Sequence, residues 1–120
     1  MAFAFEKLIV YQKAVDFADR TLAAAEHFPR GYRFLADQLN RASVSIAANL
    51  AEGNGRFTTP DRRHFFGIAR GSIQECVPLL ELAQRRDLLG RDSHDELRQR
   101  LEELGKMVSG LINGLAKRGT

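Results

Sequence analysis

The sequence predicts an all-α protein, an antiparallel up-down-up-down four-helix bundle formed by a single domain over residues 1–120. Apolar residues recur at steps of three or four through most of the chain, the spacing that places them on one face of a helix. Clusters rich in proline or glycine divide this pattern into four segments. The linkers between the segments are short, and short linkers make neighbouring helices run in opposite directions.

The first two helices are predicted on either side of Pro29. Proline lacks a backbone donor and disfavours helix in the preceding residue, so the first helix ends before Pro29. The second begins around Tyr32 and ends at Glu52-Gly53-Asn54-Gly55, because glycine readily takes the conformation that closes helices. The predicted core positions are Leu8, Tyr11, Val15, Ala18, Leu22 and Ala25, then Leu35, Leu39, Ala42, Ile46 and Asn49.

The third and fourth helices are predicted from their capping residues. Thr59-Pro60-Asp61 offers a hydroxyl cap, a proline in the first turn and an acid near the positive end of the helix dipole. This helix runs towards Leu88 and closes at Gly90. Ser93 and a glutamate three residues later then have capping-box spacing. The predicted seam of the fourth helix is Leu97, Leu101, Leu104, Val108, Leu111 and Leu115.

The composition is that of an ordinary folded protein, with 44% hydrophobic and 28% charged residues. The single cysteine, Cys76, has no partner for an internal bridge, and its apolar neighbours indicate a buried thiol. We therefore expect a cytoplasmic protein. No stretch approaches the roughly twenty apolar residues that span a bilayer, and no apolar run follows a basic start, so neither membrane insertion nor export is expected.

Polar residues occupy positions next to the apolar faces of the second and third helices. The six residues concerned are Arg41, Ser45, Asn49, Glu52, Ser72 and Glu75. Because an unpaired buried charge is costly, Arg41 is expected to meet Glu52, Glu75 or both, with the uncharged residues completing the hydrogen bonds. We interpret this network as structural, since it fixes which helix faces which. A ligand or catalytic site is the alternative.

Basic residues cluster around the start of the third helix. They are Arg56, Arg62 and Arg63, followed by His64 and, two turns beyond Arg63, Arg70. Positive charge at a helix start opposes the dipole unless an anion compensates, so the cluster is a candidate site for phosphate groups of nucleic acid. The net charge of +3 agrees with a polyanionic partner. The alternative is a solvated or salt-bridged turn, with Asp61 as one partner.

The sequence predicts no catalytic residues, no metal site and no cofactor. The paired glutamate and histidine pattern of di-iron bundles is absent, and His27, His64 and His94 are scattered. Ser45 and Ser72 have no histidine or lysine in their stripe to accept a proton. An enzyme is therefore the least favoured class.

Apolar residues outside the predicted seams indicate association with other chains. On the third helix, Phe65, Ile68 and Ala69 are assigned to the core. Three further apolar residues of this helix lie at other angles around its axis. Together with aromatic residues elsewhere, the unassigned set is Phe3, Phe5, Phe57, Phe66, Ile73 and Val77. Exposed apolar patches of this kind usually mark interfaces, although the terminal segment is an alternative cover for them.

A long motif on the second and third helices resembles a known family. The segments are QLNRASVSIAANLAEGNGR over residues 38–56, Phe65, and IARGSIQE over residues 68–75. They are similar to bacterial four-helix-bundle proteins related to those encoded in intervening sequences of large-subunit ribosomal RNA. The accessory protein of diversity-generating retroelements belongs to the same group. The resemblance covers nearly the whole chain.

This resemblance implies a ring-like homopentamer. In the retroelement branch, a basic pentamer works beside a reverse transcriptase and interacts with nucleic acid, whereas most other members have no known function. Our first hypothesis is therefore a non-enzymatic homo-oligomer whose repeated basic surface contacts RNA or DNA. A scaffold that binds only protein is the alternative.

Overall fold

The computed structural model describes residues 3–118, with side chains described up to Leu115. Its main elements are α1 (Ile9–Ala25), α2 (Arg33–Asn54), α3 (Thr59–Arg85) and α4 (Arg91–Arg118). Short 3-10 turns, Ala4–Lys7 and Arg30–Tyr32, precede α1 and α2. Each helix packs on the next and α1 packs on α4, around one hydrophobic core. The predicted all-α four-helix fold is confirmed.

Contacts between α2 and α3 show that these helices run in opposite directions. Near the start of α2, Tyr32 accepts hydrogen bonds from Arg86 at the end of α3. Midway along the pair, the hydroxyls of Ser45 and Ser72 lie 2.9 Å apart. As the residue number rises on one helix it falls on the other, so the packing is antiparallel.

The seam between α1 and α4 has the same antiparallel order. Its ion pairs are Lys13 with Glu103, Arg20 with Glu96 and Arg100 with Asp16, with N···O distances of 2.9, 3.0 and 2.8 Å. All six side chains are at least one-third exposed, so water screens these ion pairs and they contribute little to stability. Buried leucine and phenylalanine side chains therefore hold this seam together.

Two of the four predicted apolar faces are confirmed. On α2, Leu35, Leu39, Ala42 and Ile46 are buried, and Asn49 is half-buried. On α4 the buried residues are Leu97, Leu101, Leu104, Val108 and Leu115, and Leu111 is partly buried against the same core. These two helices carry one dominant apolar stripe each, which is why the spacing identifies the correct face.

The predicted face of α1 is only partly correct, because Ala18 and Ala25 are buried as predicted but the core-facing side is rotated about the helix axis. Its buried residues are Val10, Ala14, Phe17, Ala18, Thr21 and Ala25. Val15 and Leu22 are instead 43% and 37% exposed. The helix carries apolar residues on two sides, and the side that includes the fully buried Phe17 ring faces the core.

The predicted face of α3 is also wrong. Phe66 and Ile73 are buried, whereas Ile68 is 39% exposed and Phe65 is half-buried. Ala69 is buried as predicted. A seven-residue repeat continues from Phe66 and Ile73 to Leu80, and this stripe of large side chains forms the core surface of α3.

The helix ends differ from the predictions by one to three residues. Thr58, not Thr59, caps α3, and its hydroxyl accepts a hydrogen bond from the backbone N–H of Asp61 at 3.2 Å. The α4 helix begins at Arg91, so Ser93 lies inside the first turn and is not its cap. At the start of α4 the helix extends beyond the residue with the strongest capping preference.

The end of α3 is closed by Asp87 rather than by Gly90. Asp87 has φ = 60°, in the left-handed region. The N–H of Asp87 donates to the carbonyl of Gln84 at 3.0 Å, and the N–H of Leu88 donates to that of Ala83 at 2.8 Å. These are the two hydrogen bonds of a Schellman closure, which glycine usually provides.

The close approach of α2 and α3 requires glycine at position 53. A Cβ atom placed there would lie 2.7 Å from Cε1 of Phe66 and 3.1 Å from Cβ of Phe65. The Phe66 ring is only 3% exposed, so it has little room to move away. Gly53 therefore fixes the spacing of the two helices beside the connecting loop.

We predict that Gly53→Ala lowers the free energy of unfolding by about 1–3 kcal/mol, because the added methyl group overlaps a buried ring. Gly110→Ala is the control, since a Cβ there has no atom within 4 Å. That variant should gain up to about 1 kcal/mol from helix propensity. Urea unfolding followed by circular dichroism measures both, and equal effects would contradict the packing argument.

Candidate functional site

The structure brings together three of the six predicted network residues. Ser72 donates its hydroxyl hydrogen to Oγ of Ser45 at 2.9 Å, which joins α3 to α2. Asn49 donates from Nδ2 to the same Oγ at 3.0 Å and to the Ser45 carbonyl at 2.8 Å. Ser72 is buried and the other two are half-buried. The uncharged part of the predicted network therefore exists.

The charged part of the predicted network is wrong for the isolated chain. Arg41, Glu52 and Glu75 are all exposed. Glu52 forms an exposed ion pair with Arg56 at 3.2 Å, and no ion pair joins Arg41 to Glu75 among the described residues. These long side chains lie at the outer edge of the α2–α3 seam, where their charges stay in water and avoid the cost of burial.

The remaining polar cluster has little capacity for acid-base or nucleophilic chemistry. Ser45, Asn49 and Ser72 have no group that titrates near neutral pH, and they satisfy one another's hydrogen bonds. Activation of a serine needs an adjacent base. The arrangement fits a structural role, in which short polar side chains fix the register between α2 and α3.

The single cysteine is unsuited to nucleophilic catalysis. Burial, with a smaller contribution from the nearby Glu75 carboxylate, raises the pKa of the Cys76 thiol to about 12. The thiol is fully buried and neutral at physiological pH, so it lacks the thiolate needed for nucleophilic attack. Within the described residues, no three histidine, cysteine, aspartate or glutamate side chains are grouped to hold a metal ion.

Two of the four candidate basic residues are engaged within the chain. The guanidinium carbon of Arg56 lies 4.6 Å from the centroid of the Phe65 ring. Arg62 donates from Nε to the Arg56 carbonyl at 2.7 Å. These contacts fasten the α2–α3 loop to the start of α3. Helical spacing assigned Phe65 to the core, so it did not identify this ring as the support of Arg56.

The other two candidates, Arg63 and Arg70, are exposed on α3. They are seven residues apart, so they lie on one stripe of the helix. In the part of the chain that the structure describes, neither makes a hydrogen bond or an ion pair. The expected partner Asp61 contributes its backbone N–H to the Thr58 cap and no ion pair to an arginine.

The four arginines therefore do not form the single strip that was predicted. Phe65, which supports Arg56, follows Arg63 by two residues, and two residues turn a helix by about 200°. Arg56 consequently lies on nearly the opposite side of α3 from Arg63 and Arg70. Of the four candidates, Arg63 and Arg70 are the two that stay exposed without a partner in the described chain, and we call them the basic pair.

A comparison of the sequence with known protein families gives one match, and it covers most of the four helices. Over residues 6–110, the sequence matches the family of 23S rRNA-intervening sequence proteins. The chain belongs to this family. Among curated proteins, none matches it.

A solved structure has the same fold as this chain. It is a crystal structure, at 1.70 Å resolution, of a protein with unknown function from the S23 ribosomal protein family of Bacteroides thetaiotaomicron VPI-5482. The two chains share 23% sequence identity with a TM-score of 0.81, over 87% of this chain and 98% of the other. At this identity the likeness establishes the fold of this intervening sequence protein and nothing about its activity.

None of the helices over residues 3–118 combines the length and the hydropathy that a bilayer-spanning segment needs.

We predict that Ser45→Ala destabilises this intervening sequence protein by about 1–2 kcal/mol, because the buried Ser72 hydroxyl and the Asn49 amide lose their shared acceptor. Ser93→Ala is the matched control, since Ser93 is exposed in the first turn of α4. Its effect should stay within about 0.5 kcal/mol. Chemical denaturation measures the free energy of unfolding of the two variants. Equal losses of stability would contradict the idea that the cluster fixes the register between α2 and α3.

We predict that Cys76 reacts with a thiol reagent at pH 8 only after unfolding, because burial keeps it neutral and out of reach. The pKa of Cys76 is higher in the folded than in the unfolded protein. The contribution of Cys76 to the free energy of unfolding is therefore complete below about pH 8.5 and is lost as the pH rises towards 12. Ellman's reagent with and without urea tests the first point. Fast labelling of the folded protein would show that the core opens readily.

Proposed function

We propose that this chain is a non-enzymatic cytoplasmic protein that assembles into a homo-oligomer and binds nucleic acid through a basic surface repeated on every copy. The observation that supports this function is the basic pair. Arg63 and Arg70 are exposed on one stripe of α3, and no carboxylate of the described chain neutralises them. Arginine is well suited to phosphate because its planar guanidinium donates two parallel hydrogen bonds.

Two arginines give only weak affinity in a single chain, and assembly supplies the rest. When several copies present the same pair, each further contact with one nucleic acid becomes intramolecular, so overall binding strengthens without new contacts. The family resemblance implies a pentamer, which would display five such pairs. Recognition would then depend on the phosphate backbone and would be strongly sensitive to salt.

The start of α3 is a weaker candidate for the anion site than the sequence indicated. Arg56 is paired with Glu52 and stacked on Phe65, and Arg62 donates to a backbone carbonyl. Removing either arginine would disturb the loop as well as the charge. A clean test of nucleic-acid binding therefore uses the basic pair.

A protein scaffold is the second candidate function. Phe57, in the loop between α2 and α3, is 100% exposed. Exposed aromatic residues are common anchors of protein interfaces, because they bury a large area with little loss of side-chain freedom. A partner protein that docks on this loop would give Phe57 a role that nucleic-acid binding does not require.

We expect the double variant Arg63→Ala with Arg70→Ala to lose most of its binding to short RNA and DNA duplexes at low salt. Each arginine that contacts a phosphate should also lower the slope of log affinity against log salt by about 1. The matched control is Arg85→Ala with Arg98→Ala. It removes the same charge from two exposed ion pairs with Glu81 and Glu102. Fluorescence anisotropy at low and physiological salt measures all three proteins.

Equal loss in the control pair would mean that net charge, not the basic pair, carries the binding. If the wild-type protein binds neither duplex even at low salt, the nucleic-acid function is wrong and the scaffold becomes the better proposal.

A further inference from the structure

The loop between α2 and α3 holds one aromatic ring entirely in water. Phe57 is 100% exposed and lies between Arg56 and Thr58, the cap of α3. A single exposed apolar residue is common on protein surfaces, so exposure alone does not indicate a function. What distinguishes Phe57 is the rigidity of the loop that holds it and the charge of the surface beside it.

The residues on both sides of Phe57 are fixed. Before it, the guanidinium of Arg56 lies over the Phe65 ring at 4.6 Å, and the Arg56 carbonyl accepts a hydrogen bond from Arg62 at 2.7 Å. After it, the Thr58 hydroxyl accepts a hydrogen bond from a backbone N–H in the first turn of α3. The loop is therefore preorganised, and a ligand that contacts the Phe57 ring pays little entropy for ordering it.

The basic pair begins next to this ring. Arg63 follows the Thr58 cap by five residues, about 7.5 Å along the axis of α3, and Arg70 lies about 10.5 Å further on. Side chains of a helix lean towards its N-terminus, so both arginines lean towards the loop. Phe57, Arg63 and Arg70 therefore follow one another, in that order, from the loop along α3.

No carboxylate interrupts the surface of α3 along the basic pair. Glu75 and Asp61 lie about 120° and 160° away from Arg63 around the helix axis. Gly67 is half-exposed between the two arginines, and an added Cβ there would have no atom within 4 Å. A phosphate backbone can therefore approach the helix closely. The residues within about 40° of Arg63 around the axis are Thr59, Gly67, Arg70 and Gln74.

The neighbouring helices add no unpaired acid to this surface. The contact between Ser45 and Ser72 places the basic pair level with residues 47–54 of α2, where the only acid, Glu52, is paired with Arg56 at 3.2 Å. On α4, Gly105 lies beside Ile73, so the segment level with the basic pair is residues 105–115. That segment contains no aspartate or glutamate.

We infer that this surface binds single-stranded nucleic acid, with an unpaired base stacked on the Phe57 ring and the adjoining phosphates bound by Arg63 and Arg70. This inference rests on the proposed nucleic-acid function and names the form of its ligand. An aromatic ring is a partner for the flat face of a base, and every base has such a face. Binding should therefore tolerate different sequences.

A duplex can use only part of the same surface. Its bases already stack on one another, so it offers phosphates to the basic pair but no free base face to Phe57. A duplex also has a higher charge density than a single strand, which alters its affinity for any basic surface. The decisive comparison is therefore the effect of Phe57 on each ligand, and not the ratio of the two wild-type affinities.

The first test removes the ring and keeps its apolar bulk. Phe57→Leu has no flat face, whereas the matched control Phe57→Tyr retains one. Fluorescence anisotropy at low salt measures binding to an oligouridine of about 12 nucleotides and to an RNA duplex. We expect Phe57→Leu to weaken single-strand binding by about 5- to 100-fold and Phe57→Tyr to change it by less than about twofold. Duplex binding should be unchanged in both variants.

The second test detects the stacked base directly. The sequence contains no tryptophan, so Phe57→Trp introduces a single indole whose fluorescence a stacked base quenches. Phe34→Trp is the control, because Phe34 is 66% exposed at the opposite end of the bundle, near the contact between Tyr32 and Arg86. We expect oligouridine to quench the Phe57→Trp protein in a saturable way and to leave the control unchanged.

The outcomes separate this inference from the proposed function. A wild-type protein that binds neither single strands nor duplexes at low salt would overturn both. Single-strand binding that Phe57→Leu leaves intact, or a Phe57→Trp protein that is not quenched, would overturn base stacking while nucleic-acid binding through the basic pair still stands. Equal quenching by the duplex would show that the ring inserts between base pairs, which would overturn the single-stranded ligand.

Discussion

The close antiparallel contact between α2 and α3 is the constraint on which the rest of the structure depends. At the loop end, the two helices approach so closely that position 53 has no space for a Cβ atom. In the middle, the Ser45 and Ser72 hydroxyls bridge the helices directly. At the far end, Arg86 reaches Tyr32. Hydrogen bonds are directional whereas apolar contacts are not, so these polar contacts fix one register among those that the core alone would tolerate.

Whether the sequence predicted the core-facing side of a helix correctly depended on how many apolar stripes that helix carries. α2 and α4 each have one stripe, and the spacing of their apolar residues gave the correct core face. α1 and α3 have two, because Val15 and Leu22 compete with Phe17, and Ile68 competes with Phe66 and Ile73. Periodicity in a single sequence cannot rank two stripes of similar hydrophobicity. The ranking follows from which large rings fit against the other helices, and this information is not local.

The polar residues show a second limit of sequence periodicity. Spacing correctly placed Ser45, Asn49 and Ser72 beside one another, because it gives the angle of each residue around its helix. It does not give the depth of a side chain's polar end. Serine and asparagine are short and stay within the seam, whereas Arg41 and Glu75 have stems long enough to carry their charges outwards. The prediction of one basic strip was wrong for a related reason. Arg62 bends back to the backbone carbonyl of Arg56, and the Arg56 guanidinium lies over the Phe65 ring.

The sealed position of Cys76 has a practical consequence for the study of assembly. Because the sole native thiol is inaccessible and neutral, a cysteine introduced on the surface would be the only site that a maleimide dye modifies in the folded protein. No cysteine-free background would be needed, so the native core packing would stay intact. One dye on each copy would then report, by energy transfer, whether copies of the chain lie close together in solution, as the proposed homo-oligomer requires.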